Sequence, residues 1–176
     1  VDRSMADQRE FDLCEATSQI VASLRPVLKK APITLDVDCA KGLLMNSYPG
    51  SYGQVITNLF LNAVTHGFPP GHGGRVRIEA RALDQKNVEV IVADDGIGMT
   101  EDVRKQAFDP FFTTRRREGG TGLGLHIIHT LVTQRLGGQL MLDSKPGRGS
   151  IFRLVLPRQA PMESGATQPS GAHIDE

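Results

Sequence analysis

The sequence predicts an α+β fold, a two-layer α/β sandwich in which a mixed, mainly antiparallel sheet is covered by helices on one face. Three observations predict it. The stretches "ITLDVD", "RVRIEARAL" and "NVEVIVADD" alternate apolar and polar residues with the period of a strand. Longer segments with apolar residues at helical spacing stand between them. Finally, the strands from Arg75 onward come in pairs joined by short turns, so that partners run antiparallel.

In chain order, Phe11 to Lys30 carries Ile20, Val21, Leu24 and Leu28 at helical spacing, and a strand follows over Ile33 to Asp38. After Pro49, "QVITNLFLNAVTHGF" reads as a strongly apolar helix that gives out at Gly67 and Pro69, ahead of a glycine-rich loop. Arg75 to Leu83 and Asn87 to Asp95 form an antiparallel pair. Thr100 is suited to cap a short helix, with Glu101 and Asp102 favourably placed for its dipole and Arg104 and Lys105 further along. A helix from Gly122 to Leu136 precedes two last strands, "QLMLDS" and "SIFRLVLP", separated by the turn "KPGRG". Beyond Arg158 the chain is poor in apolar residues and rich in Gly, Pro and Ser, which predicts a disordered tail over residues 159–176.

At 176 residues, 39% of them hydrophobic, the chain has the material for one globular core. Twenty basic residues balance twenty acidic ones, which argues against nucleic acid as the partner, since phosphate-backbone binding shows as a basic excess or stripe. Cys14 and Cys39 are too few for a disulfide framework and lack metal-ligand spacing, so free thiols in a reducing compartment, the cytoplasm, are expected. No apolar run is long enough to span a membrane, and direct membrane contact is not expected. The start shows neither a signal peptide nor an initiator methionine, as in a part excised from a longer protein.

Three constellations carry chemistry. From Gly42 to Gly74 there is no Asp, Glu, Lys or Arg, yet Gln54, Asn58, Asn62 and His66 follow one another at i, i+4. This uncharged polar seam reads either as a row of buried, hydrogen-bonded amides or as a source of amide oxygen for Mg²⁺, a hard ion that shares its shell with substrate phosphates. The second constellation is "DDGIGM", Asp94 to Met99. A D-G pair commonly makes a hairpin, but a helix cap and not a strand follows Met99. At such a junction Gly96 and Gly98 permit close approach of a flat ligand, and an acidic acceptor at the strand end suits an exocyclic amine such as adenine N6.

The third is "FDPFFTTRRREGGTGLGLHII", residues 108–128. Gly119, Gly120, Gly122 and Gly124 free backbone amides to converge on an anion at the start of a helix, whose N–H groups and dipole favour phosphate. The pattern is neither G-x-x-x-x-G-K-[ST] nor a dinucleotide fingerprint, which needs a strand directly before it. A flexible linker would have no use for the paired phenylalanines Phe111 and Phe112. Arg115, Arg116 and Arg117 read singly as solvated charges, with one of them available to a phosphate.

Together these motifs resemble the catalytic and ATP-binding domain of sensor histidine kinases, within the GHKL superfamily that includes gyrase, heat-shock chaperone and mismatch-repair ATPases. "NLFLNAVTHG" is similar to the N box, "DDGIGM" to the G1 box, "FDPFFTT" to the F box and "GTGLGL" to the G2 box, in matching order and spacing. The closing "GGQLMLDSKPGRGSIFRLVLP" is similar to the family's last strand pair, and the likeness covers residues 10 to 157. It implies a Bergerat-type ATP-binding fold over residues 10–158, with residues 1–9 as a linker or the end of an upstream helix.

The resemblance also implies roles. Asn62 would coordinate Mg²⁺ with Asn58 assisting, and Asp94 would receive the adenine amine, with Gly96, Gly98 and Met99 lining the base pocket. His66 stands where many members place an aromatic residue beside adenine, and reads equally as a helix-end histidine. Residues 108–121 would form a lid, anchored by Phe108, Phe111 and Phe112 and passing through Thr113, Thr114 and Arg115. Gly120, Thr121, Gly122, Leu123, Gly124 and Leu125 would meet the phosphates. Thr65 departs from the family, many members of which carry Lys or Arg there, which leaves the basic contact to Arg115–Arg117. None of His66, His72, His126, His129 and His173 stands in the context of a phosphoacceptor. The implied partners are therefore a histidine phosphotransfer and dimerisation domain of the same protein and a response regulator receiver domain. Two other readings are an anti-sigma-type serine kinase, which generally carries Glu at the position of Asn58, and a non-catalytic nucleotide-binding module.

Overall fold

The computed structural model describes residues 7–29, 32–69, 71–110 and 124–162. Its elements follow in the order β1 (Arg9–Asp12), α1 (Leu13–Leu28), β2 (Ile33–Cys39), β3 (Leu44–Ser47), α2 (Pro49–His66), β4 (Gly74–Ala82), β5 (Asn87–Asp94), α3 (Glu101–Gln106), α4 (Gly124–Thr130), β6 (Gln139–Ser144) and β7 (Ser150–Pro157). Five strands form one sheet in the order β2-β4-β5-β7-β6. Only the β2–β4 pair is parallel, and the other three are antiparallel, which is the mixed, mainly antiparallel sheet expected.

Alternation along the strands decides which face is covered. Val76, Ile78 and Ala80 of β4, Val88, Val90 and Val92 of β5, and Phe152, Leu154 and Leu156 of β7 all turn to one side and are buried. Against them lie Leu13, Val21 and Leu24 of α1, Val55, Ile56, Leu59, Phe60 and Ala63 of α2, and Ile128 and Val132 of the α4 segment, in one cluster. α2 is the central helix, packed on α1, on α4 and on β5. The opposite face of the sheet carries ion pairs, among them Arg75–Asp36 at 3.3 Å and Arg77–Glu79 at 3.0 Å.

The structure departs from the sequence reading at both ends. Phe11 and Asp12 belong to a strand and not to the first helix, because β1 pairs with β3 in a separate two-stranded ribbon, Arg9 opposite Ser47. Asp12 instead caps α1, its carboxylate accepting the Glu15 N–H at 2.9 Å. Gln159 and Ala160, expected in the tail, extend the ribbon: Gln159 bridges to Asn46, and Ala160 donates its N–H to the Asn46 carbonyl oxygen at 2.9 Å. Gln8 joins this junction through its side-chain amide, 3.1 Å from the Ala160 carbonyl oxygen.

The helix expected from Gly122 to Leu136 is described from Gly124, and over Leu131–Arg135 it widens into a π-helical turn closed by Leu136 N–H to Leu131 carbonyl oxygen at 2.9 Å. Thr130 and Thr133 point their hydroxyls back at the carbonyls of His126 and His129, at 3.1 and 2.8 Å. Such back-bonding competes with the regular ladder just where it loosens.

Candidate functional site

α2 starts at Pro49, a proline suited to a first turn because its missing N–H would have had no helical partner. Its buried stripe runs through Val55, Ile56, Leu59, Phe60 and Ala63. The amide seam lies beside that stripe. Gln54 is exposed, whereas Asn58, Asn62 and His66 are half-buried. Among the described residues neither Asn58 nor Asn62 makes a side-chain hydrogen bond, so the seam is not a row of buried amides satisfied by neighbouring backbone. Two carboxamides held at a half-buried surface, with oxygens that no described residue uses, leave acceptors for an incoming ligand.

The end of α2 meets the end of β5. Gly67 closes the helix, its N–H bonded to the Ala63 carbonyl oxygen at 2.8 Å, and its own carbonyl oxygen accepts the Ile97 N–H at 2.7 Å. Asp94 ends β5 half-buried, and its carboxylate accepts the Gly96 N–H at 3.0 Å. Burial raises the Asp94 carboxyl above its usual range, against the opposing effect of backbone hydrogen bonds from Gly96 and Ser150. The "DDGIGM" segment is therefore a strand-to-helix junction and not a hairpin. It hands over to α3, where Thr100 accepts the Val103 N–H at 3.3 Å as expected of a cap.

The junction's glycines answer to the chain's own packing. A Cβ on Gly96 would overlap the Gly67 carbonyl oxygen, and one on Gly98, at φ +69°, would overlap the Lys145 carbonyl oxygen. Backbone therefore approaches backbone on both sides of the loop. Lys145 belongs to the β6–β7 turn, whose Gly147 N–H also donates to the Ile97 carbonyl oxygen at 2.7 Å. Sequence reasoning assigned this turn no part in the site. Its visible trace there is "KPGRG", in which Gly147 and Gly149 take positive φ.

Phe108 is half-buried between α4 and the sheet, its ring 5.5 Å from that of His129 and 6.4 Å, edge-on, from that of Phe152. At Gly124, the first residue of α4, an added Cβ would meet no atom of the described residues within 4 Å, while Leu125 and Met99 pack against the core. Asn62, His66, Asp94, Gly96, Gly98 and Met99 thus gather where α2 and β5 end, while Phe108 packs on α4, in whose first turn Gly124 and Leu125 stand. Phe111, Phe112, Thr113, Thr114, Arg115, Arg116, Arg117, Gly119, Gly120, Thr121, Gly122 and Leu123 lie outside the described residues.

A divalent ion fits this donor set in one way. Among the described residues no group of three or more His, Cys, Asp or Glu side chains is placed to hold a metal. An ion here would take carboxamide oxygen and complete its shell from water and a phosphorylated substrate, the habit of Mg²⁺.

Residues 49–160 match the family described as histidine kinase-, DNA gyrase B-, and HSP90-like ATPase. Sporulation kinase E of Bacillus subtilis is 38% identical over 109 residues, 62% of this chain and 14% of that protein. Sensor histidine kinase AruS of Pseudomonas aeruginosa is 41% identical over 125 residues, 68% of this chain and 12% of that protein. This chain therefore spans about a seventh or less of the length of these relatives. Among solved structures, the nucleotide-free catalytic domain of histidine kinase ThkA superposes with a TM-score of 0.75 at 25% identity, over 87% of this chain and 99% of that one.

Proposed function

The chain belongs to the histidine kinase-, DNA gyrase B-, and HSP90-like ATPase family, and from that premise we propose that it is the catalytic domain of a two-component sensor histidine kinase. It binds Mg-ATP and transfers the γ-phosphoryl group to a histidine on a phosphotransfer and dimerisation domain of the same protein, from which a response regulator receiver domain then takes it. The relatives named sensor histidine kinases favour this reading over a serine kinase or a non-catalytic module.

One observation carries it: the carboxamides of Asn58 and Asn62, without a side-chain hydrogen bond among the described residues, and the half-buried carboxylate of Asp94 belong to two elements joined through Gly67 and Ile97. Asp94 accepts the adenine amine at one end of the nucleotide. Asn62, one turn before His66 on α2, offers its amide oxygen at the phosphate end, where Mg²⁺ supplies charge neutralisation for the transferring group. Gly124 and, outside the described residues, Gly120, Thr121 and Gly122 are assigned to the phosphates by the resemblance of "GTGLGL" to the G2 box. The protein's share of the chemistry is positioning and charge stabilisation. Among the described residues no helix is long and apolar enough to cross a membrane, and the domain works in the cytoplasm, where ATP is supplied.

The test is phosphoryl transfer in trans. Incubated with γ-labelled Mg-ATP and a fragment carrying the acceptor histidine helix of its own protein, the chain is expected to put acid-labile label on that fragment and none on itself. Label on the chain alone would overturn the reading.

A further inference from the structure

Ser144, the last residue of β6, is buried, and its hydroxyl makes three contacts of 2.8 Å: to the Met99 N–H, to the Gly149 carbonyl oxygen and to the Ser150 hydroxyl. We infer that Ser144 is a positioning residue for the nucleotide site, holding the loop after β5 in the place where it meets the base. The inference rests on the reading of that loop as the base-binding segment.

A hydroxyl has one proton and two lone pairs. With the proton directed at the Gly149 carbonyl oxygen, both lone pairs are used, one by the Met99 N–H and the other by the Ser150 hydroxyl. The group is saturated and has a single orientation. Two of its partners, Gly149 and Ser150, close the β6–β7 turn, and the third belongs to the loop after β5, so this one side chain couples the two segments.

The coupling has a direction. The turn grips the loop at two points: by backbone through Gly147 N–H to Ile97 carbonyl oxygen, and by side chain through Ser144 to Met99. Between them Gly98, at φ +69°, lies against the Lys145 carbonyl with no room for a Cβ. Loss of the hydroxyl leaves the Ile97 bond in place, frees the Met99 end of the loop and takes away the hydroxyl's contacts to the Gly149 carbonyl oxygen and the Ser150 hydroxyl at the turn. The expected result is a looser loop on an intact fold, with a half-buried Met99 N–H left without a partner. Asp94 keeps its bond to Gly96 throughout, so the acceptor stays while the surface beside it shifts.

Calorimetry with Mg-ATP and Mg-ADP on the wild type, Ser144→Ala and Ser144→Thr tests this. Ser144→Ala is expected to weaken both nucleotides alike, by about tenfold, because their base end is shared. Ser144→Thr keeps the hydroxyl and is expected to restore most of the affinity, which a purely volume-filling role would not produce. A wild type that binds both nucleotides while Ser144→Ala binds them equally well overturns this inference alone, as does failure of Ser144→Thr to restore binding. A wild type that binds neither overturns the nucleotide reading and this inference with it. Should Ser144→Ala not fold, amide exchange of Met99 in the wild type decides: protection supports the bond, and exchange at the rate of an unbonded loop amide overturns it.

Discussion

Ile97 donates its backbone N–H to the Gly67 carbonyl oxygen at 2.7 Å, and this bond joins the loop after β5 to the end of α2. It brings the two halves of the proposed site together, the carboxamides on one element and the carboxylate on the other. The approach is close because Gly96 has no Cβ to strike the Gly67 carbonyl.

Gly96→Ala is therefore expected to force the two segments apart and to destabilise the fold by about 1–3 kcal/mol, the usual range for overpacking. Urea unfolding measures the change, and calorimetry should show weakened ATP binding alongside it. An alanine variant with wild-type stability would mean that the junction yields more readily than its geometry indicates.

Asn62→Ala removes one half-buried amide that bonds to no described neighbour. Thermal stability should hardly change. Mg²⁺-dependent ATP affinity should fall by at least about tenfold, since removing even the supporting groups of a metal site costs about 10- to 100-fold. Unchanged affinity by calorimetry would remove Asn62 from the site.

Burial raises the Asp94 carboxyl above its usual range, so the folded chain holds that proton more tightly than the unfolded chain. The linked stabilisation is present at pH below the unfolded carboxyl range and is lost as pH rises through the folded value. At neutral pH Asp94→Asn is expected to be at least as stable as the wild type, and this advantage should shrink as pH falls through the carboxylate range. Nucleotide affinity moves the other way, because the ionised acceptor for the adenine amine is gone. Urea curves across pH check the sign: a wild-type advantage at neutral pH that fades on acidification would contradict it.

Asn58 occupies the position one turn before Asn62, and its neutral amide cannot take a proton from water at neutral pH. General-base catalysis is worth about 10² to 10⁴ in rate, so the chain should hydrolyse ATP slowly even when it binds it well. Steady-state phosphate release on the order of 1 per second or faster, abolished by Asn62→Ala, would reveal an ATPase.

Glu89 is only 3% exposed on the face of the sheet away from the helices, paired with Arg81 at 2.8 Å and more loosely with Arg153 at 3.6 Å. Replacing both arginines by methionine leaves a buried carboxylate alone, at an expected cost of about 3 kcal/mol. Replacing Glu89 by leucine in the same background should recover much of it, and a double-mutant cycle in unfolding free energy measures the recovery.

Long periodic elements were legible in the sequence because each declares its own buried face. "QVITNLFLNAVTHGF" needs only its spacing to be a helix, and "QLMLDS" and "SIFRLVLP" are the observed strands to the residue. β1 and β3 were not legible. Each is four residues long, and neither has a reason to be a strand except the other, which lies beyond the whole of α1 and β2 along the chain. The π-helical turn at Leu131–Arg135 escaped for a similar reason, since its helical spacing passes for that of an ordinary helix.

The sequence by itself determined the chemistry available: an uncharged helix carrying Asn58 and Asn62, an acidic strand end at Asp94, and glycines between them. These are matters of residue type and local spacing, which the chain carries with it. Tertiary structure alone decided what holds them in place. That Gly96 yields to Gly67, that Ile97 is gripped by both Gly67 and Gly147, and that Ser144 reaches Met99 across 45 residues depends on distant segments meeting. Hydrogen bonds and steric exclusion act over a few ångströms of space, whatever the separation along the chain.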